Sequence, residues 1–361
     1  MVLRSIKISH KLASYDCQML PTERDVHSAI LIVAMTLLAL AVGAATTHAE
    51  NRVGLERISA ARGSDRFTVL VWYPTRAAES QQRVGLYSLR VAWRAAPAPG
   101  RHGLIVISHG SGGDELNHRD TAKALARAGY VVAALRHPGD HWRDTSRVGT
   151  RQHLSLRPRE VSATLDAVLA KRRFGGRIDA RRIGALGLSA GGYAVLAAAG
   201  ARATPALLPR HCARQPRDAR FCAYGWRPKR WGPVDRSARP PRLDGLKDRR
   251  IRAVVAMAPI GAVFGPGAFG GVSARVRLYR AGRDGILRYP WHVHHVHRLL
   301  RRRHDYVTIP GIGHMTFVAP FTGLVARFAG EAAKDPPGVD RAAVHRRLNR
   351  EIVVFFNRAL N

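Results

Sequence analysis

The run Ile183-Gly184-Ala185-Leu186-Gly187-Leu188-Ser189-Ala190-Gly191-Gly192 decides how the rest of the chain is read. Its first four residues form a short apolar strand, and the small residues from Gly191 to about Ala201 suit a helix packed close against it. Gly187, Ser189 and Gly191 thus give G-x-S-x-G in the context where that pattern carries chemistry, a strand-to-helix turn. The flanking glycines let the backbone turn sharply and lift the serine hydroxyl clear of the sheet. Gly192, Ala194 and Ala197 let the helix sit close behind it. The helix N-terminus favours negative charge developing beside Ser189.

Outward from this turn, strand-like and helix-like patterns alternate. Strands are expected at Phe67–Tyr73, Val91–Trp93, Gly103–Ser108, Tyr130–Leu135, Ile251–Ala258, Arg275–Tyr279 and Tyr306–Ile309, and helices at Asp120–Ala128, Pro158–Arg172, Pro290–Arg303 and Ala342–Ala359. Strands separated by helices of this length imply right-handed crossovers and a mostly parallel α/β sheet covered on both faces. The opening strands have hairpin-like spacing and predict an antiparallel N-terminal edge. Thr204–Arg250, rich in Arg and Pro, fits no element and is too long for an ordinary connection, so it reads as an inserted cap or flap.

A serine nucleophile needs a base, and the base needs an orienting acid. In this architecture they follow in the order Ser, Asp/Glu, His on loops at the carboxyl ends of later strands. Asp284 follows the Arg275–Tyr279 strand and His314 follows the last one. Asp305 precedes its strand and falls at the wrong end. An oxyanion hole needs two backbone N–H groups. Ala190 can supply one, and Ser111, in the glycine-rich loop Ser108-His109-Gly110-Ser111-Gly112-Gly113, the other. His109 reads as a packing residue of that loop. The chemistry needs no cofactor and no metal.

The chain has 361 residues, 46% hydrophobic and 23% charged, with 59 Lys plus Arg against 25 Asp plus Glu. That apolar content excludes a disordered polycation, and three cysteines exclude a disulfide-built miniprotein. All but seven of the bases are arginine, so the formal charge of +34 can reflect codon bias as much as a partner. Ala29 to Ala45 is apolar or small apart from Thr36, and Thr47 and Ala49 fit a signal-peptidase site. The expected organisation is a leader over 1–49 cleaved after Ala49, then a catalytic domain over 50–361 containing the 204–250 insert. An uncleaved N-terminal anchor is the alternative. Cleavage leaves Cys212 and Cys222, which read as a disulfide in a periplasmic or secreted protein, with two independent buried thiols as the other possibility.

These residues resemble the α/β-hydrolase superfamily, and within it the predicted dienelactone hydrolases allied to platelet-activating-factor acetylhydrolases. The likeness runs from Val71-Trp72-Tyr73-Pro74 through Ser108–Gly112 and His137-Pro138-Gly139 to Ser189, Asp284 and His314. His211-Cys212, Cys222 and Ile251–Pro259 resemble the same bacterial subgroup. The resemblance implies an α/β-hydrolase fold and hydrolysis of a carboxylic ester through an acyl-enzyme on Ser189. Two departures stand out: authentic dienelactone hydrolases use a cysteine nucleophile, and Arg136 stands before His137 where an acidic residue is expected.

Other features are weaker. His292, His294, His295 and His297 have i,i+3 spacing that suits a transition metal, but without a nearby carboxylate they read as a solvated helix face. The segment His137–Asp144 is expected to border the pocket. Arginines of the insert, interleaved with Trp226 and Trp231, read first as a solvated, arginine-biased surface; an anionic membrane surface or an acidic substrate is the alternative, and no nucleic-acid reader motif appears. The function expected is therefore an exported serine hydrolase acting on a small-molecule ester or lipid. The alternative is a catalytically idle α/β-hydrolase scaffold that binds anionic lipid or polymer through its basic surface.

Overall fold

A computed structural model describes residues 51–223, 242–301 and 304–361. The leader with its cleavage point at Ala49, and Trp226, Arg227, Arg230, Trp231, Arg302 and Arg303, lie outside the described residues. The strands are β1 (Arg52–Arg62), β2 (Asp65–Thr75), β3 (Ser80–Val84), β4 (Tyr87–Trp93), β5 (His102–Ser108), β6 (Val131–Leu135), β7 (Ile178–Leu188), β8 (Ile251–Met257), β9 (Arg275–Ala281) and β10 (Asp305–Ile309). They form one sheet in the order β10-β9-β8-β7-β5-β6-β2-β1-β4-β3.

From β10 to β6 every neighbouring pair is parallel. Every residue of β5 and β6 is buried, as expected for strands covered on both faces. The N-terminal edge is antiparallel at β6/β2, β2/β1 and β3/β4, with a short parallel contact where Gly54 and Leu55 meet Ala92 and Trp93. β1, where the sequence pattern predicts no strand, pairs along its whole length with β2 through the Gly63-Ser64 turn, where Gly63 takes φ 57°.

The helices are α1 (Arg119–Arg127), α2 (Arg151–Ala170), α3 (Arg172–Gly175), α4 (Ala190–Ala198), α5 (Leu207–Arg214), α6 (Ala219–Ala223), α7 (Val293–Leu299), α8 (Gly323–Phe328) and α9 (Arg341–Leu360). α1 packs with α9, and α2 packs with α4. Phe356 of α9 is buried against β7, where Gly184 leaves room for its ring. α2 begins seven residues before Pro158, the residue at which the sequence pattern predicts its start. A proline inside a helix cannot donate to the carbonyl four residues back, here Leu154. The Tyr193 hydroxyl of α4 donates to Leu154 O at 2.7 Å and so satisfies that carbonyl.

β5 has β6 on one side and β7 on the other, so the strand order reverses between β5 and β7. In open parallel sheets the crevice outside the carboxyl ends at such a point is where ligands bind. Ser108 and Leu188 end β5 and β7 there, and they lead directly into the Ser111 and Ser189 loops.

Candidate active site

Ser189 stands between β7 and α4 with φ 58° and ψ −116°, a conformation that non-glycine residues rarely adopt. Three backbone bonds hold it there: its N–H donates to Met257 O (2.9 Å), and its carbonyl accepts from Tyr193 N (3.0 Å) and Ile260 N (3.2 Å). The glycines allow the close approach. A Cβ on Gly187 would overlap the Gly191 carbonyl, and a Cβ on Gly191 would overlap the Ser108 carbonyl oxygen.

Asp284 and His314 stand on the loops after β9 and β10. The His314 Nδ1–H donates to Asp284 Oδ2 at 2.8 Å. The other carboxylate oxygen accepts from Ile286 N (2.9 Å) and Leu287 N (2.7 Å). Burial alone would raise the Asp284 pKa, but His314 and these two N–H groups outweigh it and hold the carboxyl below its ordinary value. Donation through Nδ1 leaves His314 Nε2 as the proton acceptor of the ring. Asp305 lies at the opposite end of β10, exposed and 3.6 Å from Arg277.

Ser189, His314 and Ser111 line one cavity of about 670 Å³. Gly110 lies against Ser189, so the Ser111 loop and the nucleophile turn are in direct contact. Ala190 is the first residue of α4, where the N–H has no partner within the helix. Ser111, Ser189 and His314 thus share one cavity, with Asp284 bonded to His314 and Ala190 next to Ser189 in the chain. Toward β8 and β9 the cavity wall is apolar, with Phe221, Ile260 and Leu287. Toward β6 and β1 it carries Arg57, Arg136 and Arg143. Arg136 makes two 2.7 Å bonds to Glu115, which is how a base is accommodated before His137. Burial, with Glu115 beside it, raises the Asp114 pKa to about 6.

Cys212 and Cys222 form a disulfide with Cα atoms 5.6 Å apart, closing α5 and α6 into a hairpin that presents Phe221 to the cavity. This insert contains helices where the sequence suggested none. His292 corrects the reading of a solvated histidine face: it is fully buried, just before α7, and donates to Asp218 Oδ2 at 2.8 Å. His211 bonds the same oxygen at 2.8 Å. Among the described residues, His211, Asp218 and His292 are the group with metal-ligand spacing. However, Gly261 N–H donates to His292 Nδ1 at 3.2 Å, so Nε2 carries the ring proton and is not a free ligand atom. The three side chains therefore form a hydrogen-bonded latch between the insert and the loops after β8 and β9.

A buried network beneath the Ser111 loop has no signature in the sequence. His137 is fully buried and bonds Ser108 Oγ (2.8 Å) and Glu160 Oε2 (2.5 Å), while Trp142 and Arg143 of the same segment border the cavity as expected. His109 is a packing residue as expected, with Nδ1 donating to Gly110 O (2.7 Å) and Nε2 accepting from His137 N (3.2 Å).

No family model and no curated protein matches the sequence. Among solved structures, a ferulic acid esterase from Streptomyces cinnamoneus is similar, with a TM-score of 0.60 at 20% identity over 88% of this chain and 92% of that one. Together with the strand order and the strained turn at Ser189, this establishes the architecture: the chain has the α/β-hydrolase fold.

Proposed function

We propose that the protein is a serine hydrolase that cleaves carboxylic esters through an acyl-enzyme on Ser189. The observation that carries this reading is the 2.8 Å bond from His314 Nδ1 to Asp284, on the wall of the cavity that also holds Ser189. In this mechanism the Ser189 hydroxyl gives its proton to His314 Nε2 as Oγ attacks the ester carbonyl. Asp284 holds the required tautomer and stabilises the imidazolium. The N–H groups of Ser111 and Ala190 receive the oxyanion. The alcohol leaves with the proton from His314, and a water then cleaves the acyl-enzyme by the same steps. The similar fold of a ferulic acid esterase supports an ester substrate. The likeness of Ser108–Gly112 and Ser189 to dienelactone-hydrolase-like members of the superfamily is in keeping with this reading.

The apolar wall at Ile260, Leu287 and Phe221 suits the hydrocarbon part of a small ester or lipid. We infer export to the periplasm or outside the cell after cleavage at Ala49, leaving a domain over 50–361; the Cys212–Cys222 bond supports an oxidising compartment. Removing residues 1–49 changes the charge only from +34 to +33, so the basic surface belongs to the mature domain and suits an anionic membrane nearby. Among the described residues no helix is long and apolar enough to cross a membrane. Fluorophosphonate labelling of wild type beside Ser189→Ala tests the reading. Labelling of wild type alone is expected. No labelling of wild type leaves the idle scaffold in its place, and equal labelling moves the nucleophile elsewhere.

A further inference from the structure

The Ser111 loop is held by charges that the proposed mechanism does not itself use. Three donors converge on the buried Asp140 carboxylate. Gly112 N–H donates to Oδ1 at 2.8 Å, His153 Nε2–H donates to Oδ2 at 2.6 Å, and Arg157 Nη1 donates to Oδ2 as well. Through Nη2, Arg157 also donates to the His109 carbonyl. His153, Arg157 and Glu160 lie four and three residues apart on α2, so one face of that helix reaches under the loop. The loop is tied on both sides of Ser111. Gly113 N donates to Gly110 O (3.1 Å), and Gly113 O accepts from Trp142 N (3.2 Å). Ser111 N–H itself has no acceptor among the described residues.

Burying Asp140 and Arg157 costs several kcal/mol per ion, offset only where their partners are well placed. Here an apolar replacement would pack the same space but could not hold a glycine-rich loop in one conformation. We propose that Asp140, itself fixed by Arg157 and His153, is the positioning residue that aims the Ser111 N–H at the developing oxyanion. This assignment rests on the esterase reading given above. Asp140 touches no substrate and acts through Gly112, one residue from the donor.

A carboxylate is required because all three partners are donors. In Asp140→Asn the amide NH2 must face either the Gly112 N–H or the His153 and Arg157 donors, so at least one of these bonds is lost and the loop is no longer fixed. Burial would raise the Asp140 pKa, but Arg157 and His153 pull it far below the usual range, so the carboxylate persists throughout the working pH range.

The test compares wild type, Asp140→Asn and His153→Phe on p-nitrophenyl butyrate, with inhibition by an alkyl trifluoromethyl ketone, whose serine adduct places an oxyanion in the hole. Losing a whole oxyanion donor costs ~10²–10³ in rate, and a displaced donor is expected to cost about tenfold in kcat. For Asp140→Asn the expected result is that drop in kcat, a parallel rise in inhibitor Ki and a KM within about twofold of wild type, since the hole acts on the transition state. His153→Phe keeps the ring volume, removes one donor to Asp140, and is expected to show a smaller loss in the same direction. A purely structural role would lower Tm while leaving kcat and Ki unchanged. If folded Asp140→Asn matches wild type in both, the assignment is overturned while the esterase reading stands. If Asp140→Asn does not fold, unchanged kcat and Ki in His153→Phe overturn it instead. A wild-type protein that hydrolyses no ester overturns the esterase reading and this assignment with it.

Discussion

Asp218 of the insert accepts a 2.8 Å hydrogen bond from His292, 74 residues further along the chain. With the 2.8 Å bond from His211, one carboxylate oxygen joins the disulfide-closed hairpin to the segment that follows Asp284. Phe221 rides on that hairpin and packs 4.6 Å, centroid to centroid, from the His292 ring. Asp218→Ala strands buried imidazole N–H groups, and an unsatisfied buried donor costs about 1–3 kcal/mol. The expected outcome is a lower Tm, together with a weaker discrimination among p-nitrophenyl acyl lengths as Phe221 loses its place. Unchanged acyl preference in the folded variant would separate the latch from the cavity.

Asp284→Asn tests the tautomer. Ile286 N and Leu287 N both donate to Asp284 Oδ1, so the side-chain carbonyl of Asn must occupy that position. Its NH2 is then forced to face His314 Nδ1, where Oδ2 now accepts. The ring proton moves to Nε2, and His314 can no longer take the proton of Ser189. A fall in kcat of about 10⁴ is expected from the equivalent substitution in serine proteases, with little change in KM. Stopped assays with p-nitrophenyl butyrate measure it. A loss below tenfold would point to a different acid.

Much of this site is readable in the chain before folding. The turn at Ser189 has a local cause, glycine where a Cβ would strike backbone, and loops at strand ends place Asp284 and His314 within a simple topology. The misread parts all depend on distant partners. β1 is a strand because β2 completes it, and its exposed Arg57 breaks the apolar run that a short window looks for. His292 looks solvated among its histidine neighbours because its partner, Asp218, belongs to another segment. The charges beneath the Ser111 loop come from α2, whose first half is hidden by Pro158. In each case a polar residue is stabilised by a partner that sequence spacing cannot reveal.

Glu160 makes stability depend on pH. Burial is the largest influence on its carboxyl and raises the pKa from 4.5 to about 7, despite the opposing charges of Arg157 and Arg147. The unfolded chain therefore releases this proton near pH 4 and the folded chain near pH 7. Between those values the folded state binds more protons, so stability from this group falls as pH rises through the window and is lowest above it. Glu160→Gln removes the titration. Chemical denaturation at pH 5 and pH 8 should show wild type losing stability relative to the variant at the higher pH. An equal difference at both would place the Glu160 pKa near its ordinary value.

Pro158 and Tyr193 provide a double-mutant cycle between α2 and α4. The Tyr193 hydroxyl is buried and donates to Leu154 O at 2.7 Å, the carbonyl that Pro158 cannot serve. Tyr193→Phe leaves that carbonyl unpaired, with an expected loss of about 1–3 kcal/mol. Pro158→Ala supplies a backbone N–H four residues on, which competes for the same carbonyl. In the double variant that N–H is free to bond Leu154 O, so the cost of Tyr193→Phe should be largely recovered. Coupling of about 1 kcal/mol or more, read from urea denaturation of the four proteins, is expected for residues sharing one acceptor. Additive losses would show that the hydroxyl and the proline act independently, and that the hydroxyl does not replace the missing helix bond.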